Sequence, residues 1–190
     1  MTTLERTRRI PLWLARALRV GLLVALTAIG AKVAVDLPFT PVPITLQVLF
    51  VIVAGLSLGS WEGAASQVAY LGAILAGLPL DARGLGAAAL FGPTAGYLWA
   101  FPVAAAVAGL GAEGRWKLAR RLAAGLAALA VIYLGGVTVL SLVTGTAWPQ
   151  AWALGAAPFV LVDAGKVLLA ASGLSALEGL WALRGGAQGR

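Results

Sequence analysis

Apolar stretches of membrane-spanning length recur along this 190-residue sequence, and nearly all of its charges lie between them. A helix needs roughly 17–25 apolar residues to cross a hydrocarbon core of about 30 Å. Hydrophobic residues make up 61% of the chain and charged ones 11%, whereas in soluble domains about a quarter are charged. In lipid every backbone N–H and C=O needs a partner within the protein, which leaves helices or a closed barrel. Barrel strands alternate apolar and polar residues, and the run 20–31 does not. The expected fold is therefore an all-α integral membrane protein, one transmembrane domain over 1–190.

Six helices are predicted, at about 17–35, 44–60, 62–80, 93–110, 118–144 and 153–178. The second and third are parted only by Ser60-Trp61-Glu62-Gly63, which predicts a tight helical hairpin. Six crossings put the N-terminus, loops two and four and the C-terminus on one side. That side holds Arg6, Arg8, Arg9, Arg16, Arg19, Arg115, Lys117, Arg120, Arg121, Arg184 and Arg190, eleven of the fourteen Lys and Arg residues. The remaining three are Lys32, Arg83 and Lys166. Cationic loops stay inside, so both termini are expected in the cytoplasm of a bacterial cell (inner) membrane. A cleaved leader would leave five spans and break this parity, and no small-x-small cleavage site precedes Asp36, so the first helix is expected to be retained. Pairs such as Gly21/Ala25, Gly30/Ala34, Ala104/Ala108 and Ala124/Ala128 suit close helix packing, within the bundle or against a partner subunit.

Composition also excludes chemistry. There is no cysteine and no histidine, which removes disulfides, thiolate and imidazole metal ligands and His-based triads. No catalytic residue, cofactor or metal site is expected. The formal charge of +7 is spread between apolar runs rather than over a basic, aromatic face, so nucleic acid is not an expected partner. Gly165-Lys166 is followed by Val167, with Val160 where a phosphate loop needs its first Gly, so the chain carries no such ATPase motif.

Three polar clusters stand out. Asp163 and Lys166 are ionisable residues at membrane depth, three apart and hence on one helix face. They either close helix six onto its neighbours or present an acceptor and a donor to a ligand with N–H and C=O groups. The second cluster is loop one, Asp36-Leu37-Pro38-Phe39-Thr40-Pro41-Val42-Pro43-Ile44-Thr45-Leu46-Gln47, where three prolines predict a stiff, extended wall. Thr45 is placed to cap helix two, and Gln47 needs a partner if it faces inward. The third is Gly92-Pro93-Thr94-Ala95-Gly96-Tyr97, with a helix expected to start at Pro93 after an inserted loop 81–92. Its free N–H groups, with Arg83 nearby, suit an anionic group. All three clusters fall at the outer face of the six-span topology, which predicts a capture site rather than a pore.

At these residues the chain resembles the BioY family, the biotin-specific S components of energy-coupling factor transporters. The resemblance rests on Pro41-Val42-Pro43-Ile44-Thr45-Leu46-Gln47, Tyr70 with Gly77-Leu78-Pro79, Gly92-Pro93-Thr94 through Gly96-Tyr97, and Asp163 with Lys166, in order over most of 36–170. It implies biotin held near the outer surface, with Asp163 and Lys166 on the ureido ring, Tyr70 and Tyr97 flanking the bicycle, and Arg83 as first candidate for the carboxylate. Thr45, Gln47 and Thr94 complete the expected site. It also implies a membrane coupling subunit and two ATPase subunits as partners, with ATP used by them. The chain departs from the family pattern in having Leu80-Asp81 after Gly-Leu-Pro, Ala95-Gly96 before the tyrosine, and no strict Ala-xxx-Ala on helix one. Other readings of the sequence are a stand-alone proton-coupled or facilitative carrier for a small carboxylate-bearing vitamin, with Asp163 as proton site, or a structural protein. Intramembrane aspartyl proteolysis needs a second carboxylate at membrane depth, and none is apparent.

Overall fold

A computed structural model describes residues 10–112 and 117–187, the side chains of 182–187 excepted. Arg6, Arg8, Arg9, Glu113, Arg115 and Arg190, and the side chain of Arg184, lie outside the described residues. The chain forms helices α1 (Leu12–Lys32), α2 (Gln47–Leu75), α3 (Ala95–Gly109), α4 (Lys117–Thr144), α5 (Trp148–Gly155) and α6 (Val160–Ala187). Two short strands, β1 (Ala34–Val35) and β2 (Ile44–Thr45), and a 3-10 turn over Gly86–Leu90 join them. Four of the helices are long and apolar enough to cross a membrane: α1, α2, α4 and α6.

Helix α2 is two arms, 47–58 and 60–75, parted at Gly59 with φ 83° and ψ 176°, a conformation open essentially to glycine. The arms run antiparallel. A Cβ on Gly63 would lie 2.8 Å from Gly55 Cα, and Gln47 and Tyr70 meet at the far end. The reversal therefore sits on Gly59, and the expected turn residues Ser60–Gly63 open the second arm instead, because one glycine suffices to reverse the chain. The second arm ends at Leu75 rather than 80, with Gly77 at φ 92° and Pro79 following.

Other boundaries also differ from expectation: α2 begins at Gln47 rather than 44, because Ile44 and Thr45 form β2. Helix α1 spans 12–32, not 17–35, because Ala34 and Val35 leave the helix to pair with Thr45 and Ile44. Ala34 is thus not a helix-packing partner of Gly30. Helix α3 begins at Ala95, after Thr94, rather than at Pro93. The expected helix 153–178 is divided into α5 and α6 around 156–159, where Pro158 can neither donate to a helical carbonyl nor fit beside one.

Small residues bring the backbones together. A Cβ on Gly55 would fall 2.2 Å from the Ala105 carbonyl, one on Gly96 2.2 Å from the Gly135 carbonyl, and one on Gly109 2.2 Å from Ser60 N. Ala104, Ala108 and Ala128 are fully buried, whereas nothing approaches Gly21. Arg16 pairs with Glu62 at one end of the bundle, where Arg120 also donates to the Leu110 carbonyl and Arg121 and Lys117 bond Glu178. Loop one, the 81–86 segment, the start of α3, α5 and the start of α6 gather at the opposite end.

Overpacking at the α2–α3 contact follows directly. Gly55→Val is expected to lower the melting temperature in detergent by several degrees, in line with about 1–3 kcal/mol for an overfilled site. Gly72→Ala, where nothing lies within 4 Å, is expected to leave it unchanged or raise it slightly, since Ala favours helix by roughly 1 kcal/mol.

Candidate ligand-binding site

The elements at the end opposite the Arg121–Glu178 contact enclose a partly open cavity. Its floor is charged. Asp163, one turn into α6, and Lys166 lie on the same face and are both buried. The Lys166 ammonium donates to Asp163 Oδ1 at 2.5 Å and to the Thr45 carbonyl at 2.6 Å. The Tyr133 hydroxyl of α4 donates to Asp163 Oδ2 at 2.7 Å. An ammonium has three N–H donors and a carboxylate about four lone-pair positions, so each keeps capacity for a ligand. A group with both N–H and C=O can use it.

The walls come from loop one and α3. The β1–β2 ladder, with Ala34 opposite Thr45, turns loop one back over the cavity. Thr40 Oγ1 donates to the Leu154 carbonyl at 2.8 Å, tying the loop to α5. Thr45 is not the N-cap of α2, a position held by Leu46, because it pairs in β2; its Oγ1 still accepts from Gln47 N at 3.3 Å and donates to Gln47 Oε1 at 3.2 Å. The Tyr97 ring occupies space left by Gly136, whose Cβ would fall 2.1 Å from it. Its hydroxyl donates to the Gly155 carbonyl at 2.8 Å. Apolar lining comes from Val42, Leu98, Phe101 and Phe159.

Seven of the eight expected site residues line this cavity: Thr45, Gln47, Arg83, Thr94, Tyr97, Asp163 and Lys166. Tyr70 does not. It is wholly buried behind the wall, accepting from Gln47 Nε2 at 2.7 Å and donating to the Leu80 carbonyl at 3.0 Å. Its hydroxyl is engaged by Gln47 and Leu80, and the residue is not part of the cavity lining. Arg83 stands at the mouth and donates to Asp36 Oδ1 at 2.8 Å and to the Pro41 carbonyl at 3.0 Å.

Two residues were not among those expected. Tyr133 contacts Asp163 from a helix thirty residues earlier; the available signal was a hydroxyl inside an otherwise apolar span, which needs a partner. The Trp152 ring meets Tyr133 edge-on at 6.2 Å and stacks on Trp148 at 5.7 Å. Asp81 is buried and accepts from the N–H groups of Arg83 and Gly86 at 3.0 and 2.8 Å. Lys32 donates to its carbonyl at 2.7 Å. A carboxylate next to a glycine-rich stretch is the sequence sign of such a loop clamp.

A helical membrane bundle with a polar-floored cavity at one end is the architecture of a membrane solute-binding protein. Its fold matches that of a solved structure, the S-component for biotin from an ECF-type ABC transporter, with a TM-score of 0.77 over 90% of this chain and 95% of that one, at 23% identity. Residues 2–182 match the BioY family. A Pyrococcus horikoshii protein named "Probable biotin transporter BioY" is 43% identical over 84% of this chain and 94% of its own. The Thermotoga maritima "Biotin transporter BioY" is 40% identical over 81% and 90%. The chain belongs to the BioY family.

The paired floor predicts a stability pattern. Lys166→Met alone leaves a buried carboxylate without its countercharge and is expected to cost about 3–5 kcal/mol. Adding Asp163→Asn should restore most of the melting temperature. A double variant as unstable as the single would show that the two charges do not act as one unit.

Proposed function

We propose that this chain is the biotin-binding S component of an energy-coupling factor transporter, and so a transport subunit rather than an enzyme. The observation that carries this is the Asp163–Lys166 pair on the floor of the cavity, with a spare acceptor and a spare donor side by side. A ureido ring offers two N–H groups and one C=O, the complement of that pair. The membership of the chain in a family whose named relatives are biotin transporters supports the same ligand. Thr45, Gln47, Thr94 and Tyr97 then surround the bicycle, and Arg83 at the mouth receives the valerate carboxylate. Tyr70 acts through Gln47.

Counting the two arms of α2 singly and including α3, six described segments run between the cavity end and the end that carries Arg16, Lys117, Arg120 and Arg121. We read them as six crossings with the basic end, and both termini, in the cytoplasm. The cavity then opens outward, and biotin is captured from outside a bacterial cell membrane. The chain's lack of a phosphate-binding ATPase loop supports inward delivery driven by partners, a membrane coupling subunit and two ATPase subunits.

Titration of the detergent-purified protein with biotin, thiamine and riboflavin, read by heat, tests the ligand. Biotin alone is expected to bind, and an equal or absent response to all three would refute the assignment. Asp163→Asn should weaken biotin by at least about 30-fold, the loss typical of breaking a buried, hydrogen-bonded charge pair at a binding site. Uptake that persists at full rate in cells without the ATPase subunits would instead favour a carrier acting alone.

A further inference from the structure

Among the residues that line the cavity, Arg83 carries the one guanidinium, and it is already engaged. Both of its side-chain hydrogen bonds leave from Nη2, one to Asp36 Oδ1 at 2.8 Å and one to the Pro41 carbonyl at 3.0 Å. Nη2 has two N–H groups, one on each forked edge of the guanidinium. A carboxylate held at two points needs both N–H groups of one edge. Either edge includes Nη2, so a second carboxylate cannot be gripped at two points until Asp36 or Pro41 yields.

Charge decides which yields. Two carboxylates crowded on one cation repel, whereas the neutral Pro41 carbonyl does not. The side chains of Arg83 and Asp36 are 43% and 69% exposed, and pairs so exposed hold weakly. Loop one does not depend on the pair for its position. It is tied by the Ala34–Thr45 register, by Thr40 to Leu154, by Val42 N donating to Thr40 Oγ1 at 3.2 Å, and by the buried Val42 side chain. Asp36 itself is not part of the cavity lining.

We infer that Asp36 is an internal competitor for Arg83: an anionic ligand group reaching the mouth exchanges with Asp36 on the guanidinium, and Asp36 thereby sets how strongly the protein prefers an acid to its neutral amide. The inference rests on the biotin reading and on Arg83 as the partner of the ligand carboxylate. Removal of the competing charge leaves Arg83 to the ligand. Asp36→Asn keeps the shape of the side chain while weakening its hold on the cation.

The test is calorimetric titration of the unmodified chain, Asp36→Asn, Arg83→Gln and the double variant, each with biotin and with biotin amide. Asp36→Asn is expected to bind biotin about two- to five-fold tighter, the range an exposed ion pair allows, with the amide changed less than about two-fold. Arg83→Gln should reduce the preference for acid over amide, and in that background Asp36→Asn should gain nothing, because the two residues act through one contact. A gain that persists without Arg83 would assign the effect to the general field at the mouth and overturn the exchange. Unchanged or weaker biotin binding by Asp36→Asn would overturn it too. A chain that binds neither ligand would refute the biotin reading and the exchange with it, whereas biotin binding with an acid preference indifferent to both substitutions refutes the exchange alone.

Discussion

A carboxylate and an ammonium inside a bilayer must be discharged against one another and have their remaining positions filled, and the arrangement of this protein around Asp163 and Lys166 follows from that requirement. Their spacing on α6 makes the pair self-neutralising. Lys166 takes a further acceptor from the backbone of loop one, at Thr45, and Asp163 takes a donor from α4, at Tyr133. The loop must therefore reach down to α6, and the β1–β2 ladder is the device that lets it do so. One ion pair thus draws together α4, α6 and the chain between α1 and α2. A buried pair adds little net stability of its own. What it supplies is a polar floor to the cavity with lone pairs and an N–H left over.

Glycine and alanine make room for that floor. Where α2, α3 and α4 touch, the contact is backbone against backbone at Gly55, Gly96, Gly109 and Gly135. Bulk is reserved for the cavity, where the Tyr97 ring enters the gap above Gly136 and reaches the carbonyl of Gly155. Without hydrophobic driving force between helices in lipid, such close van der Waals fits carry the association. The same small residues that pack the bundle also decide where a large side chain can enter it.

Much of this was legible in the sequence, for reasons that differ residue by residue. Asp163 and Lys166 announced themselves because a charge in an apolar run is costly wherever the run ends up. The stiffness of loop one was readable from its prolines, and the hairpin from a break between two apolar stretches. What escaped depends on partners distant in sequence or on one backbone angle. Nothing local to Thr45 says that its carbonyl meets an ammonium 121 residues away. Tyr133 reads as an ordinary apolar-span tyrosine until α6 is packed beside it. Tyr70 was expected against the ligand on the resemblance alone, and that its hydroxyl bonds Gln47 and the Leu80 carbonyl is set by partners no local pattern names. The split between α5 and α6 was overlooked because hydropathy runs unbroken through Pro158, although the missing N–H is a backbone property that hydropathy does not register.

The two ends of the α4–α6 interface show how the cavity acquires a definite depth. At the cavity end Tyr133 holds Asp163, and in the middle Gly125 lets Val167 come so near that a Cβ would stand 2.6 Å from its methyl carbon. At the other end Arg121, 1% exposed, bonds Ser175 and Glu178 of α6 and leaves its Nε as a buried donor without a partner among the described residues. Desolvating a guanidinium in this way is offset only by the ion pair and hydrogen bonds it makes, here with Glu178 and Ser175. The pair of helices is therefore pinned above, within and below, and it cannot splay beneath the cavity without breaking a charge contact, which fixes the depth of the floor.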